Sequence, residues 1–493
     1  MTFKNSTRSA ILVFSAVLWL VTPAASLAQP SELIEAVKIG DHTLVNTLIA
    51  RGIDVNSMEG DGATALHWAT FRNNQKITRV LLSAGADVNI ANALGATPLW
   101  LASMNGSGAL VEILLGAGAE PNAALKMGET PLMAASRAGS LHSSQALLAY
   151  GANPNSAERE REQTALMWAI AQKHVDVASL LINNGANVRA RSKIWFQLEN
   201  TAGNTNPVGN FKMAHGGSTA LLFAARNGDI DAARILLEAG ANVNVPSASG
   251  TSPLVAAAHS GHGPLAIFFL EHGADPNASD AGYTALHAAT LRSEVRLVDA
   301  LLEYGANVNA LVTHGTPGRR FSNDYSIRYQ AIGANAFWLA AKYGEPEIAQ
   351  VLADHGANPF VKPSDGMSSL LASMGYATGN ENRRNRGYGS QQLDIAEEER
   401  STLELAQLIL DLGVDVNESD QRDNAPIHYA VLAGFKSVVE LLASNGANLA
   451  ATNGRGMTPL TLAETEQGVP GTNGLRSTRP LIAEQLRQLG ASN

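Results

Sequence analysis

The sequence predicts an all-α repeat solenoid: helix–turn–helix units stacked in a row and joined by β-turn or hairpin fingers. Two observations carry that expectation. One phrase keeps returning, as Gly62-Ala63-Thr64-Ala65-Leu66, Gly95-Ala96-Thr97-Pro98-Leu99, Gly128-Glu129-Thr130-Pro131-Leu132, Gly250-Thr251-Ser252-Pro253-Leu254 and Gly456-Met457-Thr458-Pro459-Leu460. Thr64, Thr97 and Thr130 stand 33 residues apart, and the same step separates Thr219 from Ser252 and Ala425 from Thr458. A second phrase closes the units, as Gly85-Ala86-Asp87-Val88-Asn89, Gly240-Ala241-Asn242-Val243-Asn244 and Gly305-Ala306-Asn307-Val308-Asn309. A fixed period of this size means a stacked array, because each unit buries its apolar side only on its neighbours.

Within a unit each part has a physical role. Thr97 can cap a helix through its hydroxyl, and Pro98 fits the first helical position, where its missing N–H costs nothing. A short apolar helix, a turn and a second helix such as Leu110–Leu115 follow. Gly118 suits the left-handed residue past that helix. Asp and Asn in the closing phrase suit the tight turn into the next unit.

The pattern resembles the ankyrin repeat. That family's Thr-Pro-Leu-His-x-Ala motif is matched at Thr64-Ala65-Leu66-His67-Trp68-Ala69 and Thr284-Ala285-Leu286-His287-Ala288-Ala289, and more loosely at Ala425-Pro426-Ile427-His428-Tyr429-Ala430. The resemblance covers residues 31–490 and implies about 11–12 units and a protein-binding mode of action. Fold alone does not name a partner.

Taken in order, residues 1–28 have the layout of a secretory signal peptide. Lys4 and Arg8 precede the apolar run Ala10–Val21, and Ser26-Leu27-Ala28 supplies the cleavage site. That run is short of the ~20 apolar residues a membrane span needs. The expectation is export, to the periplasm or beyond, with no span left after cleavage. The first unit, Ser31–Asn56, lacks the Thr-Pro-Leu opening and keeps Glu32, Glu35 and Lys38 on a polar outer side, as a cap requires. Units then begin at Gly62, Gly95, Gly128, near Gln163, and at Gly217, Gly250, Gly282, Gly333, Gly366, Asp423 and Gly456. The rhythm breaks near residues 192–216, 311–332, 377–402 and 467–478. The spacing of Leu393–Leu412 predicts a second helix that begins early. The segment Leu481–Leu489 closes the array with a polar outer side.

Composition narrows the function. The chain has no cysteine, so disulfides and thiolate metal sites are excluded. Its net charge is −9, and −11 once Lys4 and Arg8 are removed, which weighs against nucleic-acid binding. No Gly-x-Ser-x-Gly, Walker or His-Glu-x-x-His motif occurs. His259 and His262 have metal-like spacing but no evident third ligand. His67, His287 and His428 are expected to hydrogen-bond neighbouring repeats together. No catalytic, cofactor or metal residue is assigned, and the chain is read as one continuous, monomeric domain.

Binding is the better prospect. Counting from each unit's Gly picks out first-helix ends that line one face: Phe71, Arg72, Arg137, Arg226, Arg292, Lys342 and Tyr343. Two insertions add further candidates, Trp195, Phe196, Phe211 and Lys212 in the first and Arg319, Arg320, Phe321, Tyr325, Arg328 and Tyr329 in the second. Arg and aromatic residues dominate binding hot spots. The expectation is a non-enzymatic scaffold that binds a protein partner through this face and the inserted fingers. A secreted effector acting on a host protein, an accessory subunit of a periplasmic enzyme, and an enzyme or small-ligand site between the fingers remain alternatives.

Overall fold

The computed structural model describes residues 32–200, 210–316, 327, 329–374, 395–468 and 476–492. The segment read as a signal peptide lies outside them. So do Arg319, Arg320, Phe321, Tyr325 and Arg328, and residues 377–394 of the third insertion. The chain divides into two compact units, one up to Ala152 and one from Asn153.

The first unit holds four helix pairs: α1 (Glu32–Ile39) with α2 (His42–Ala50), α3 (Ala65–Phe71) with α4 (Gln75–Ser83), α5 (Pro98–Met104) with α6 (Gly108–Gly116), and α7 (Pro131–Ala138) with α8 (Leu141–Ala149). The second holds eight: α9 (Ala165–Ala171) with α10 (Val175–Asn183), α11 (Ala220–Asn227) with α12 (Ile230–Glu238), α13 (Pro253–Ser260) with α14 (Gly263–Glu271), α15 (Ala285–Leu291) with α16 (Val295–Glu303), α17 (Ala336–Tyr343) with α18 (Pro346–Asp354), α19 (Ser369–Ser373) with α20 (Ile395–Asp411), α21 (Pro426–Ala433) with α22 (Lys436–Ser444), and α23 (Pro459–Glu464) with α24 (Pro480–Gln488). The expected repeat solenoid is what the chain builds.

The capping chemistry read from sequence is in place. The Thr97 hydroxyl accepts from the Trp100 N–H at 3.2 Å, with Pro98 at the start of the helix. Ser252 does the same for Val255, and Asn335 for Trp338. First helices pack on first helices through small residues, so Ala102, Ala135, Ala169, Ala225 and Ala257 are buried where neighbours approach closely. Larger side chains, among them Phe269, Phe337, Trp338 and Phe435, fill the space between the helix layers.

Two further systems of bonds run across the repeats. Finger backbones are linked one to the next: Ala93 N–H to the Asp61 carbonyl and Lys126 to Leu94 in the first unit, then Lys193 to Arg161, Ala248 to Gly216, Thr313 to Gly282, Ser364 to Ile332 and Gly454 to Arg422 in the second. The closing-phrase asparagines do more than make turns. Asn277 donates to the Gly305 carbonyl at 3.0 Å and accepts from the Asn307 N–H at 2.7 Å. Asn56, Asn89, Asn155, Asn244, Asn309 and Asn417 repeat both bonds.

The first insertion is an antiparallel hairpin, β1 (Ile194–Asn200) with β2 (Asn210–Gly216), in the register Trp195–His215, Phe196–Ala214 and Leu198–Lys212. It is one finger grown long, since the bonds at Arg161–Lys193 and Gly216–Ala248 keep its base in line with the fingers on either side. Gly216 sits at φ +80°, and a Cβ there would meet the Lys193 carbonyl oxygen at 1.9 Å. In the second insertion Thr316 and Ile327 close the base through two 2.8 Å bonds, with Val312, Ile327 and Ala331 buried. A 3₁₀ turn, Tyr329–Ala331, leads into α17. The third ends in α20, which at 17 residues begins early as expected. In the fourth, two short strands, β3 (Gln467–Gly468) and β4 (Arg476–Ser477), pair antiparallel.

Candidate partner-binding surface

The helix-end positions are set by how the first helices stop. After α7, α11, α13, α17 and α21 a glycine takes the left-handed conformation. The residues just before it therefore project from the end of each helix, one repeat after another.

In the first unit, Phe71 is half-buried, edge-on to Trp68 with ring centroids 5.8 Å apart, and Arg72 is exposed at the cap. Trp68 donates to Glu59 at 2.6 Å, and the Lys38 ammonium lies 4.6 Å from the Trp68 ring centroid. Burial works against the charge on Lys38, but Glu59 and Glu35 outweigh it and its pKa is raised. Arg137 pairs with Glu129 at 2.8 Å. Phe71, Trp68, Lys38 and Glu59 form an aromatic and charged cluster that the helix-end count located only in part, since Lys38 and Glu59 come from the cap repeat and the finger.

In the second unit, Arg226, Arg292, Lys342 and Tyr343 come from α11 and the ends of α15 and α17, and contacts between successive first helices place them in one row with His259 of α13. Several members also stitch the row together. Arg292 donates to the His259 carbonyl at 2.8 Å, and His262 bonds the Arg226 carbonyl at 3.1 Å. Asn227 reaches back to the Ile170 and Ala171 carbonyls. These partners satisfy carbonyls that a helix C-terminus leaves open. The exposed Arg226 donates to Ser218 at 3.2 Å. Tyr283, on a finger, is buried with its ring 5.7 Å from His259. Burial pushes its hydroxyl up to about 12, offset in part by the Arg226 charge. Lys342 lies 4.8 Å over Trp338, whose N–H donates to the Met367 carbonyl at 2.9 Å. Burial raises the Asp365 pKa, and the Lys342 charge counters it.

The hairpin adds a surface of a different kind. On one face Trp195 stacks on His215 with centroids 5.6 Å apart, His215 lies 3.0 Å from Glu199, and the Arg161 guanidinium sits 4.3 Å above the Trp195 ring. The other face carries Ile194, Phe196, Leu198, Lys212 and Ala214, with Lys212 4.9 Å over Phe196. Phe211 is on β2 and Tyr329 in the 3₁₀ turn; their side chains lie outside the described set.

Among the described residues, no three His, Asp or Glu side chains are grouped as a metal site requires, and no helix is long and apolar enough to cross a membrane. An open groove of about 870 Å³ runs between α20, α22 and α24, lined by both signs of charge (Glu399, Arg400, Lys436, Glu440, Glu484).

A family comparison finds the same repeat along the chain. The family description "Ankyrin repeats (3 copies)" matches residues 33–125, 109–192, 200–280, 221–312 and 393–469. The human Ankyrin repeat and SOCS box protein 6 is 32% identical over 159 residues, 28% of this chain and 37% of that protein. The mouse Ankyrin repeat and SOCS box protein 16 is 30% identical over 262 residues, 48% of this chain and 54% of that protein. The chain thus spans about a third to a half of the length of these relatives. A solved structure, the human ASB11 ankyrin repeat domain, aligns at 26% identity over 56% of this chain and 99% of that one, with a TM-score of 0.39. With the family's repeats matched over most of its length, the chain belongs to the ankyrin-repeat family.

Proposed function

We propose that this chain is an exported, non-enzymatic scaffold that holds a protein partner along the helix-end row of its second unit and on the adjoining β1–β2 hairpin. Ankyrin repeats imply protein–protein interaction as the mode of action. Two observations support this location: the row of Arg226, His259, Arg292, Lys342 and Tyr343, in which Arg292 and His262 bond carbonyls of the preceding repeat, and a hairpin with a solvent-facing apolar face. A surface already ordered loses little entropy on binding. Export rests on the three-part layout of residues 1–28.

The test is an affinity pull-down from the envelope fraction of the cell that makes the protein. The chain from Gln29 onward is compared with a form lacking Lys193–His215 and with an Arg226→Ser/Lys342→Ser variant. A partner held by the intact chain and lost in the variants supports the reading; a partner retained by both variants overturns the location. Mass spectrometry of the native N-terminus checks export, which predicts a chain starting at Gln29.

A further inference from the structure

We propose that the outer face of the β1–β2 hairpin docks an acidic, amphipathic segment of a partner protein, which lays apolar side chains over Ile194, Phe196 and Leu198 and sets a carboxylate against Lys212. The proposal rests on the scaffold reading above and gives one of its surfaces a chemistry.

The two faces of the hairpin differ in how far they are covered. Its polar and aromatic face is engaged within the protein: Trp195 lies between His215 and Arg161, and Glu199 meets His215. Its other face, carrying Ile194, Phe196 and Leu198, points to solvent. Ile194, Phe196 and Leu198 are 52, 62 and 68% exposed, at alternate positions of one strand, so they form one contiguous strip rather than scattered apolar side chains. A two-stranded hairpin is marginal alone, and a cover over such a strip strengthens it.

Charge selects the cover. Lys212 stands on the strip itself and Lys193 at its foot, both exposed, and among the described residues neither is in an ion pair. The one carboxylate on β1, Glu199, is turned to the other face. This is a local reversal of sign in a chain of net charge −9. A second copy of the chain is a poor cover, because hairpin on hairpin brings lysine against lysine. An anionic bilayer meets one ammonium on the strip and repels the acidic remainder. A protein segment combining apolar side chains with Asp or Glu satisfies both features of the strip.

The test is selection of a phage-displayed random peptide library on the mature chain from Gln29 onward. Recovered peptides are then titrated against the Phe196→Ser/Leu198→Ser and Lys212→Glu variants and the Arg226→Ser/Lys342→Ser variant. These hairpin side chains are largely exposed, so circular dichroism of the variants is expected to match the parent. Enriched peptides should combine apolar residues with Asp or Glu. They should lose at least about tenfold in affinity on the serine variant, and lose affinity on Lys212→Glu, with weaker binding at high salt. Peptides insensitive to the hairpin variants but lost on Arg226→Ser/Lys342→Ser would overturn the hairpin proposal and leave the scaffold reading standing. Failure to enrich any peptide counts against both. Two controls can also overturn it. Sedimentation with phosphatidylcholine–phosphatidylglycerol vesicles that depends on Phe196 and Leu198 would assign the strip to lipid. A concentration-dependent dimer abolished by the serine variant would assign it to a second copy.

Discussion

His287 Nε2 lies 3.0 Å from the Ala310 carbonyl oxygen, while its Nδ1 takes the Thr284 backbone N–H at 3.1 Å. The ring therefore has its proton on Nε2, and a bond within one repeat fixes the tautomer that bonds the next. His67 joins Thr64 to Ala96 and His428 joins Ala425 to Ala451 in the same way. Burial lowers the pKa of all three, that of His287 to about 4.

Acid should loosen the array before it titrates most carboxylates. Above pH 6.5 His287 is neutral folded and unfolded, and it contributes no pH dependence. As pH falls below 6.5 the unfolded chain takes up the proton first, so stability is lost between pH 6.5 and about 4 and levels off below that. For His287 alone that loss is about 3 kcal/mol. Urea midpoints measured across this window should fall in the parent chain, and His287→Gln should flatten the curve. An unchanged slope in the variant would remove His287 as the cause.

Asparagine is absent from three rungs of the closing-phrase ladder: Arg189, which donates to the Gly240 carbonyl instead, Ala450 and Phe360. Asn309 bonds the next closing turn at Gly356 and Asn358, but the corresponding position one repeat later is Phe360, 57% exposed. Little is lost by removing that ring, and Phe360→Asn should add two bonds toward Gly413 and Asp415, stabilising the chain by about 1 kcal/mol. Asn277→Ala should cost a similar amount. Thermal unfolding of both variants gives the comparison, and a Phe360→Asn chain that is no more stable than the parent would show that its turn differs from the rest.

The stacked fold was legible because its signal is a period, and a period survives loose copies such as Asp423-Asn424-Ala425-Pro426-Ile427. The hairpin was harder. Ile194-Trp195-Phe196 is a continuous apolar run, and alternation shows only once Trp195 is known to face Arg161. The helix-end row could be counted from the repeat, yet not its double use: nothing local marks Arg292 as bound to the His259 carbonyl 33 residues earlier. The second role of the asparagines was hidden for the same reason, since a residue that suits a turn already has an explanation.

Lys173 follows α9 at the position where glycine ends α7 and α11, and it is held at φ +63°. A side chain in that region costs about 1 kcal/mol. Lys173→Gly should recover most of it, and Lys173→Val should lose more, because a branched β-carbon crowds further. Chemical denaturation of the three chains should rank Gly above Lys above Val.

Glu399 caps a helix that its own repeat leaves uncapped. The residue preceding α22 is Phe435, which is buried and has no side-chain acceptor for the free N–H groups of the first turn. The Glu399 carboxylate, from the early turns of α20, accepts from the Ser437 N–H at 2.7 Å and its hydroxyl at 2.6 Å. A carboxylate there also faces the positive end of the helix dipole. This gives the early start of α20 a structural reason, because a second helix as short as the other nine-residue ones would begin at Leu403 and leave α22 open. Glu399→Ala should therefore cost about 1–2 kcal/mol, with amide exchange rising first at Ser437 and its neighbours. Glu399→Gln keeps an acceptor and should lose less. If Ser437 exchange is the same in Glu399→Ala as in the parent, the cap is supplied by another group.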